Sequence, residues 1–108
     1  MQSIPFVNDT TIQGNGSFAL WGGNVSFGVI GVEVLCDDQY AAFPGGVIVQ
    51  WRVNGGAWNN ASTDSIGPAN NYRGIPVTQA GNYDVQLLNT YNSPATIKAG
   101  VVVRVIVA

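Results

Sequence analysis

The sequence predicts an all-β protein, an antiparallel β-sandwich of the jelly-roll or immunoglobulin-like kind with about seven to nine strands. Gly and Asn recur at roughly the 8 to 12 residue spacing that is typical of sandwich and barrel strands. Apolar and polar residues alternate in the segment VIVQWRV at residues 47–53, and no stretch has helical periodicity. A chain of 108 residues is long enough for one such domain and its core.

We therefore predict a single sandwich domain at residues 14–108, preceded by an N-terminal segment at 1–13 that can extend as an arm. The segment is apolar enough to add a strand to a partner. In chain order, strands are predicted at residues 4–7, 10–13, 18–21, 25–36, 47–53, 57–60, 72–77, 82–89 and 101–107.

A change of phase within residues 25–36 predicts a β-bulge or a crossing of the chain between sheets. Apolar side chains fall first on one face and then on the other, at Val25, Phe27, Val29, Ile30, Val32 and Val34. Gly28 and Gly31 flank the switch, and glycine within a strand pattern is typical of such irregularities.

Residues 47–58 predict a tight hairpin. Asn54-Gly55 or Gly55-Gly56 supplies the positive φ angles that a two-residue turn requires. Both registers place Trp58 on the face of Trp51, so this face is predicted to be the core.

Two further segments favour a sandwich. In AGNYDVQLL, Gly81 precedes Tyr83 by two residues, a pattern similar to the tyrosine corner, in which the hydroxyl binds a nearby backbone group. The C-terminal run VVVRVIVA is apolar on both faces, which predicts a central strand or one pressed against a neighbouring subunit.

The composition argues against catalysis and for assembly. The sequence has no His, and Asp37-Asp38 lack calcium-loop spacing, so we predict no enzyme activity, no cofactor and no metal. Charged residues are 9% of the chain, against about 25% in ordinary domains. Such a surface predicts that the chain hides part of its surface in an assembly.

Charge and hydropathy also exclude two kinds of partner. The basic residues are scattered and the net charge is −2, so binding of nucleic acid is not expected. No apolar run approaches the roughly 20 residues of a membrane helix, and the first residues have no basic and apolar leader. We therefore expect a protein made in a cytoplasm, with no membrane partner.

The order of these motifs resembles a known group of proteins. A Gly-rich opening (LWGGNVSFGV), the strand GGVIVQW, the hairpin GGAW, the corner AGNY and a valine-rich last strand span residues 20–107. This pattern is similar to that of small β-sandwich structural proteins of tailed bacteriophages, including capsid decoration, or cement, proteins. The resemblance implies a virion protein on the capsid exterior, a homo-oligomer (dimer or trimer) that bridges subunits of the major capsid protein.

That reading nominates contact residues in the N-terminal segment and in predicted loops: Ile4, Phe6, Val7, Ile12, Tyr40, Phe43 and Tyr91. Removal of residues 1–7 is then expected to weaken attachment. The alternative is a carbohydrate- or receptor-binding module of a tail fibre or spike, with Trp21 and exposed tyrosines as the binding aromatics.

Overall fold

The computed structural model describes residues 2–36 and 43–107, and this part of the chain is all-β, as predicted. It contains ten strands rather than the seven to nine expected. In chain order they are β1 (Gln2–Pro5), β2 (Thr10–Ile12), β3 (Ser17–Val25), β4 (Gly28–Leu35), β5 (Val47–Val53), β6 (Asn59–Asn60), β7 (Tyr72–Val77), β8 (Gly81–Asn89), β9 (Ala95–Ile97) and β10 (Val102–Val107).

The strands pair as one long hairpin rolled into a sandwich. Strand β1 pairs with β10, β2 with β9, β3 with β8, β4 with β7 and β5 with β6, all antiparallel. Rolling adds the pairs β10–β4 and β5–β8. The result is sheet 1, of order β1-β10-β4-β7, and sheet 2, of order β3-β8-β5-β6, joined by the β2–β9 ladder. This nested pairing is a jelly roll, which decides between the two architectures left open by the sequence.

The phase change in residues 25–36 marks a crossing between the sheets. Strand β3 ends at the buried Val25 in sheet 2, and β4 begins at Gly28 in sheet 1. Gly28 has a φ of 108°, a conformation that a residue with a Cβ rarely adopts. The chain therefore turns between sheets where the glycine stands, and the apolar face changes parity there.

The N-terminal segment belongs to the sandwich, which corrects the prediction of an extended arm. Strand β1 pairs with β10 and β2 pairs with β9 within the same chain. Phe6 lies in the core between these strands, with its ring 5.5 Å from that of Phe18. Ile4, Phe6 and Ile12 of this segment therefore pack on the core of their own chain.

The core lies between the two sheets, and two polar residues close it. The Tyr83 hydroxyl donates to the Gln79 carbonyl at 2.7 Å, which confirms the predicted tyrosine corner. The Asn89 amide donates to carbonyls of Ile12, Gln13 and Ser93, and its oxygen accepts from the Tyr91 backbone N–H. Asn89 thereby joins β8 to the β2–β3 and β8–β9 turns.

The last strand, β10, is central in sheet 1, one of the two placements predicted for it. It lies between β1 and β4, so its backbone is hydrogen-bonded on both sides. Val103 and Val105 point into the core, whereas Val102, Arg104 and Ile106 lie on the outer face and are only partly buried. The apolar character of that outer face is therefore not explained by packing within the chain.

The β5–β6 hairpin has the predicted turn but a different register. Asn54 and Gly55 have φ angles of 52° and 71°, and the Gly56 N–H donates to the Val53 carbonyl. Beyond the turn, Trp51 pairs with Asn59 instead of Trp58. One extra residue in the returning strand moves Trp58 to the opposite face, so its predicted place in the core is wrong.

Candidate functional site

The nominated contact residues separate into buried and exposed sets. Phe6, Ile12 and Phe43 are at most 5% exposed and belong to the core, and Ile4 packs against it. These four side chains are held by the chain's own sheets and do not form a contact surface. Tyr40 lies outside the described residues.

Val7 and Tyr91 are exposed, at 79% and 57% of their surface, and lie in loops beside the β2–β9 ladder. Val7 follows Phe6, whose backbone pairs with Gly100 and Val101. The Tyr91 ring lies over Gly46, where an added Cβ would stand 2.6 Å from it. Both residues therefore remain candidates for contacts at this end of the sandwich.

The outer face of sheet 1 is apolar over most of its area. Cross-strand partners share a face, so the pairings place in this surface Pro5, Val102 and Ile106, and from the other two strands Val29, Leu35, Tyr72 and Pro76. Val29, Leu35 and Tyr72 are large exposed apolar residues. We call this surface, with Glu33 and Arg104 at its centre, the apolar face.

Two features organise the centre of the apolar face. Arg104 Nη2 lies 2.7 Å from Glu33 Oε1, and both side chains are largely covered. The Tyr72 ring lies across Gly31, where a Cβ would stand 2.8 Å from the ring, so glycine at this position makes room for it. The two central charges cancel, and the face carries no net charge.

The outer face of sheet 2 is polar instead in the rows that contain Gln86, Asp84 and Asn82, whereas the row beyond Gln86 pairs Ile48 with Leu88. An amide ladder crosses this face, with Gln86 donating to Gln50 at 2.8 Å and Gln50 donating to Asn60 at 2.8 Å. In a separate row, Asn24 donates to Asn82 at 3.1 Å. We call this surface the polar face.

Trp58 belongs to the polar face through Arg52. Arg52 Nε donates to Asp84 Oδ2 at 2.9 Å, and the guanidinium carbon lies 4.5 Å from the centre of the Trp58 ring. The side chains of Arg52 and Asp84 are 36% and 44% exposed. A cation held between a carboxylate and an indole is oriented by both.

The aromatics named for carbohydrate binding do not converge. Trp21 and Trp51 pack against the core, and the Trp51 ring stacks on Tyr83 at 6.0 Å. Tyr72 lies on the apolar face and Tyr91 in a loop near Gly46. The indole that does reach an outer face is Trp58, the one that the predicted hairpin register had placed inside.

A cavity of about 270 Å³ lies between residues 43–45 and 65–70. Residues 65–70 form one wall of this cavity. The buried Arg73 holds that wall in place, because the guanidinium donates to the carbonyls of Asp64, Ser65 and Asn70. The described residues that line the cavity carry no charged side chain. Arg73 serves to hold the loop at residues 64–70 in place.

The structure shows two further facts within residues 2–36 and 43–107. The Cys, Asp and Glu side chains there form no group of three or more that could hold a metal ion. No helix in these residues has the length and apolarity to cross a membrane. Asp37 and Asp38, considered above as a carboxylate pair, lie outside this part of the chain.

Comparisons with known proteins show a similarity of fold only. No protein-family model matches the sequence, and no curated protein sequence matches it. A solved structure, a crystal structure of PirA, is similar to this chain with a TM-score of 0.54 and 13% sequence identity, over 92% of each chain. An identity this low indicates a shared architecture and not a shared activity.

Proposed function

We propose that this protein is a non-enzymatic virion structural protein, a phage capsid decoration protein that binds the outside of the shell as a homo-oligomer. The observation that carries the proposal is the apolar face, an exposed sheet surface formed by residues of all four strands of sheet 1. A surface of this kind on a chain with 9% charged residues is typical of a protein interface.

A second copy of this chain is the occupant that we propose for the apolar face. In a two-fold pair each copy offers the same patch, so the patch must complement itself. Arg104 and Glu33 supply this, since each charge can approach its opposite on the partner while the surrounding apolar side chains lose water. Burial of that apolar surface contributes roughly 25 cal/mol per Å² before the costs of association.

In such a dimer the exposed loops at the end of the sandwich remain accessible, and we assign them to contacts with the capsid shell. Val7 and Tyr91 lie in these loops, and neither belongs to the apolar face. A dimer presents two such ends and can contact two copies of the major capsid protein. Because the bound protein favours only the assembled state, it raises the stability of the shell by linkage.

Oligomeric state tests the first half of the proposal. We expect native mass spectrometry and sedimentation equilibrium to show a dimer, and Val29→Asp to shift it toward monomer. Asn60→Asp is the matched control, because it adds the same charge on the polar face and keeps the oxygen that Gln50 binds. A wild-type monomer at 100 µM, or a Val29→Asp dimer of unchanged affinity, would contradict the assignment of this face.

Co-sedimentation with capsids tests the second half. Purified protein is mixed with particles of its own phage from which it has been removed, and the bound copies are counted. We expect saturable binding at a fixed ratio to the major capsid protein, weakened in the double variant Val7→Ser/Tyr91→Ser. Absence of binding by a protein that still dimerises would reject the capsid role and leave the interface standing.

A further inference from the structure

The polar face has hydrogen-bonding groups that the described residues do not use. The amide ladder runs in one direction, so it leaves the Gln86 Oε1 acceptor at one end and the Asn60 amide donors at the other. Two rows away, the hydrogen bond between Asn24 and Asn82 leaves the Asn24 Oδ1 acceptor and an Asn82 Nδ2 donor unused. Donors and acceptors of neutral groups thus alternate over the surface, already oriented by their bonds to one another.

Charge on this face is balanced and fixed. Arg52 uses Nε for Asp84 Oδ2, which leaves its terminal nitrogens and Asp84 Oδ1 without a hydrogen bond among the described residues. The pair adds strong donors and acceptors without a net field. A ligand that matches such a face is polar and uncharged.

The shape favours a ligand that lies along the sheet. On the β3 side of the polar face the positions opposite Leu88, Gln86 and Asp84 are occupied by Ser17, Ala19 and Gly22, none larger than serine. They form a low shelf beside the side chains of β8. At the usual strand spacing, four strands make the face about 14 Å wide, which suits several linked rings more than one.

Trp58 supplies a flat apolar surface at the far side of this shelf. Its ring is held by Arg52 at 4.5 Å and remains partly exposed. An indole offers a large, rigid apolar surface at little entropic cost, and such a surface suits the C–H face of a sugar ring. It also carries one polar group, its N–H. The apolar anchors of a protein–protein interface are otherwise missing from the rows that contain Gln86, Asp84 and Asn82.

We propose that the polar face binds a neutral oligosaccharide. Trp58 stacks against one ring, Asp84 and Gln86 accept hydrogen bonds from hydroxyl groups, and Asn82 donates one. The site lies on sheet 2, whereas the proposed dimer uses sheet 1, so this inference stands independently of the capsid assignment. A virion protein of this kind would dimerise through sheet 1, attach through its end loops and display a glycan-binding surface on sheet 2.

Nitrogen-edited NMR titration tests the site directly, because the side-chain amides of Asn and Gln and the indole N–H of Trp give resolved signals. The probes are tetrasaccharides of chitin, cellulose, mannan and galactan, each added to 10 mM. With at least one probe we expect saturable shifts of Trp58, Asn82 and Gln86, while the backbone signals of Val29 and Tyr72 stay in place.

Two variants separate this site from any other. Trp58→Ala removes the stacking surface, and Asn82→Asp removes one donor while keeping the oxygen that Asn24 binds. We expect each to weaken the affinity by about tenfold or more. Lys98→Ala, at an exposed side chain that belongs to neither face, is the control and should bind as the wild type does.

Three results would overturn the inference. The first is that none of the four probes shifts a signal, and the second is that a folded Asn82→Asp protein binds with unchanged affinity. The third is binding confined to a heparin tetrasaccharide, because that result would indicate an anion site. Since capsid binding and dimerisation are measured separately, failure here leaves the proposed function intact.

Discussion

At the residue scale, two buried polar side chains carry much of the specificity of the fold. Tyr83 is nearly inaccessible to solvent and its hydroxyl meets the Gln79 carbonyl, while Asn89 uses both its amide and its oxygen for turns. Buried polar groups persist in proteins when they are hydrogen-bonded. The two residues therefore define single conformations for the turns that they bind.

Replacement of Tyr83 by Phe tests the tyrosine corner. The ring still fills its place in the core, but the Gln79 carbonyl loses its donor at 2.7 Å. We expect the free energy of unfolding to fall by about 1–2 kcal/mol, measured by urea titration. Tyr91→Phe is the control on an exposed ring outside the apolar face and should change stability by less than about 0.5 kcal/mol. Equal effects in both proteins would show that the hydroxyl bond contributes nothing.

The contribution of Asp9 to the stability of the fold depends on pH. Its carboxylate accepts from the Ala99 backbone N–H at 2.9 Å and from Lys98 Nζ at 3.4 Å. The backbone hydrogen bond first, and Lys98 second, lower the pKa of Asp9 below its ordinary value of 3.8. A folded pKa below the unfolded one stabilises the protein above the unfolded pKa, and this contribution is lost as pH falls through the folded value.

We therefore expect the Asp9 carboxyl carbon to titrate with a midpoint below 3.8 in an NMR pH series. The stability difference between the wild type and Asp9→Asn should be constant near neutral pH and shrink as pH falls below 3.8. A difference that instead grew on acidification would mean that the carboxylate is disfavoured in the folded state.

At the scale of elements, turns are held by each other as much as by their own residues. The β2–β3 turn packs on the β8–β9 loop, where the Asn15 N–H donates to the Tyr91 carbonyl at 2.9 Å. An added Cβ at Gly14 would meet the backbone carbonyl of Asn92. Glycine is therefore needed here for close approach of two backbones.

Gly14→Ala is expected to lower the free energy of unfolding by about 1–3 kcal/mol, because one of the two loops must move. Gly45→Ala is the matched control. Among the described residues, only the Tyr91 hydroxyl lies within 4 Å of a Cβ at Gly45, at 3.9 Å, so the change should be tolerated within about 0.5 kcal/mol. Thermal and urea unfolding of the two variants measure the difference, and similar midpoints would refute the packing argument.

At the scale of the whole molecule, the nested pairing brings the two ends of the chain into one sheet. Strand β1 closes sheet 1 against β10, and Phe6 enters the core just beyond it. Contacts so distant in sequence give their energy only after the intervening chain has been ordered. The N-terminal residues are therefore part of the cooperative fold.

Removal of residues 1–7 should thus destabilise the protein, and any loss of capsid attachment would follow from that. Loss of a core Phe alone typically costs about 3–5 kcal/mol, and the ladder to β10 is lost as well. We expect a much lower urea midpoint for the truncated chain. Val7→Ala, at a side chain 79% exposed, should unfold like the wild type. If the truncated protein were as stable as the wild type, the N-terminal residues would not belong to the cooperative fold, and the prediction of an extended arm would stand.

Local patterns predicted much of the fold because their causes are local. The Asn54-Gly55 turn follows from positive φ, the crossing before β4 from the change of parity at Gly28, and the corner from the spacing of Gly81 and Tyr83. The short strand β9 was not predicted, since its three residues are too few for their alternation to stand out, and they form a strand by pairing with β2.

The candidate sites were much less predictable. The displacement of Trp58 to the polar face depends on one extra residue in the hairpin, and a shift of one residue reverses every side chain after it. Phe6 and Ile12 had the composition of contact residues, yet the β1–β10 and β2–β9 pairs cover them. Exposure depends on the partner strand, which no local window contains.

The sequence by itself determined the all-β class, the main turns, the corner and the near absence of charge, because these depend on backbone propensity and on residue type. Only the tertiary structure decided the jelly-roll order and the difference between the two outer faces. That difference arises because pairing of β10 with β4 collects apolar residues on sheet 1, while pairing of β8 with β5 collects amides and an ion pair on sheet 2. Which side chains share a surface is a property of long-range pairing.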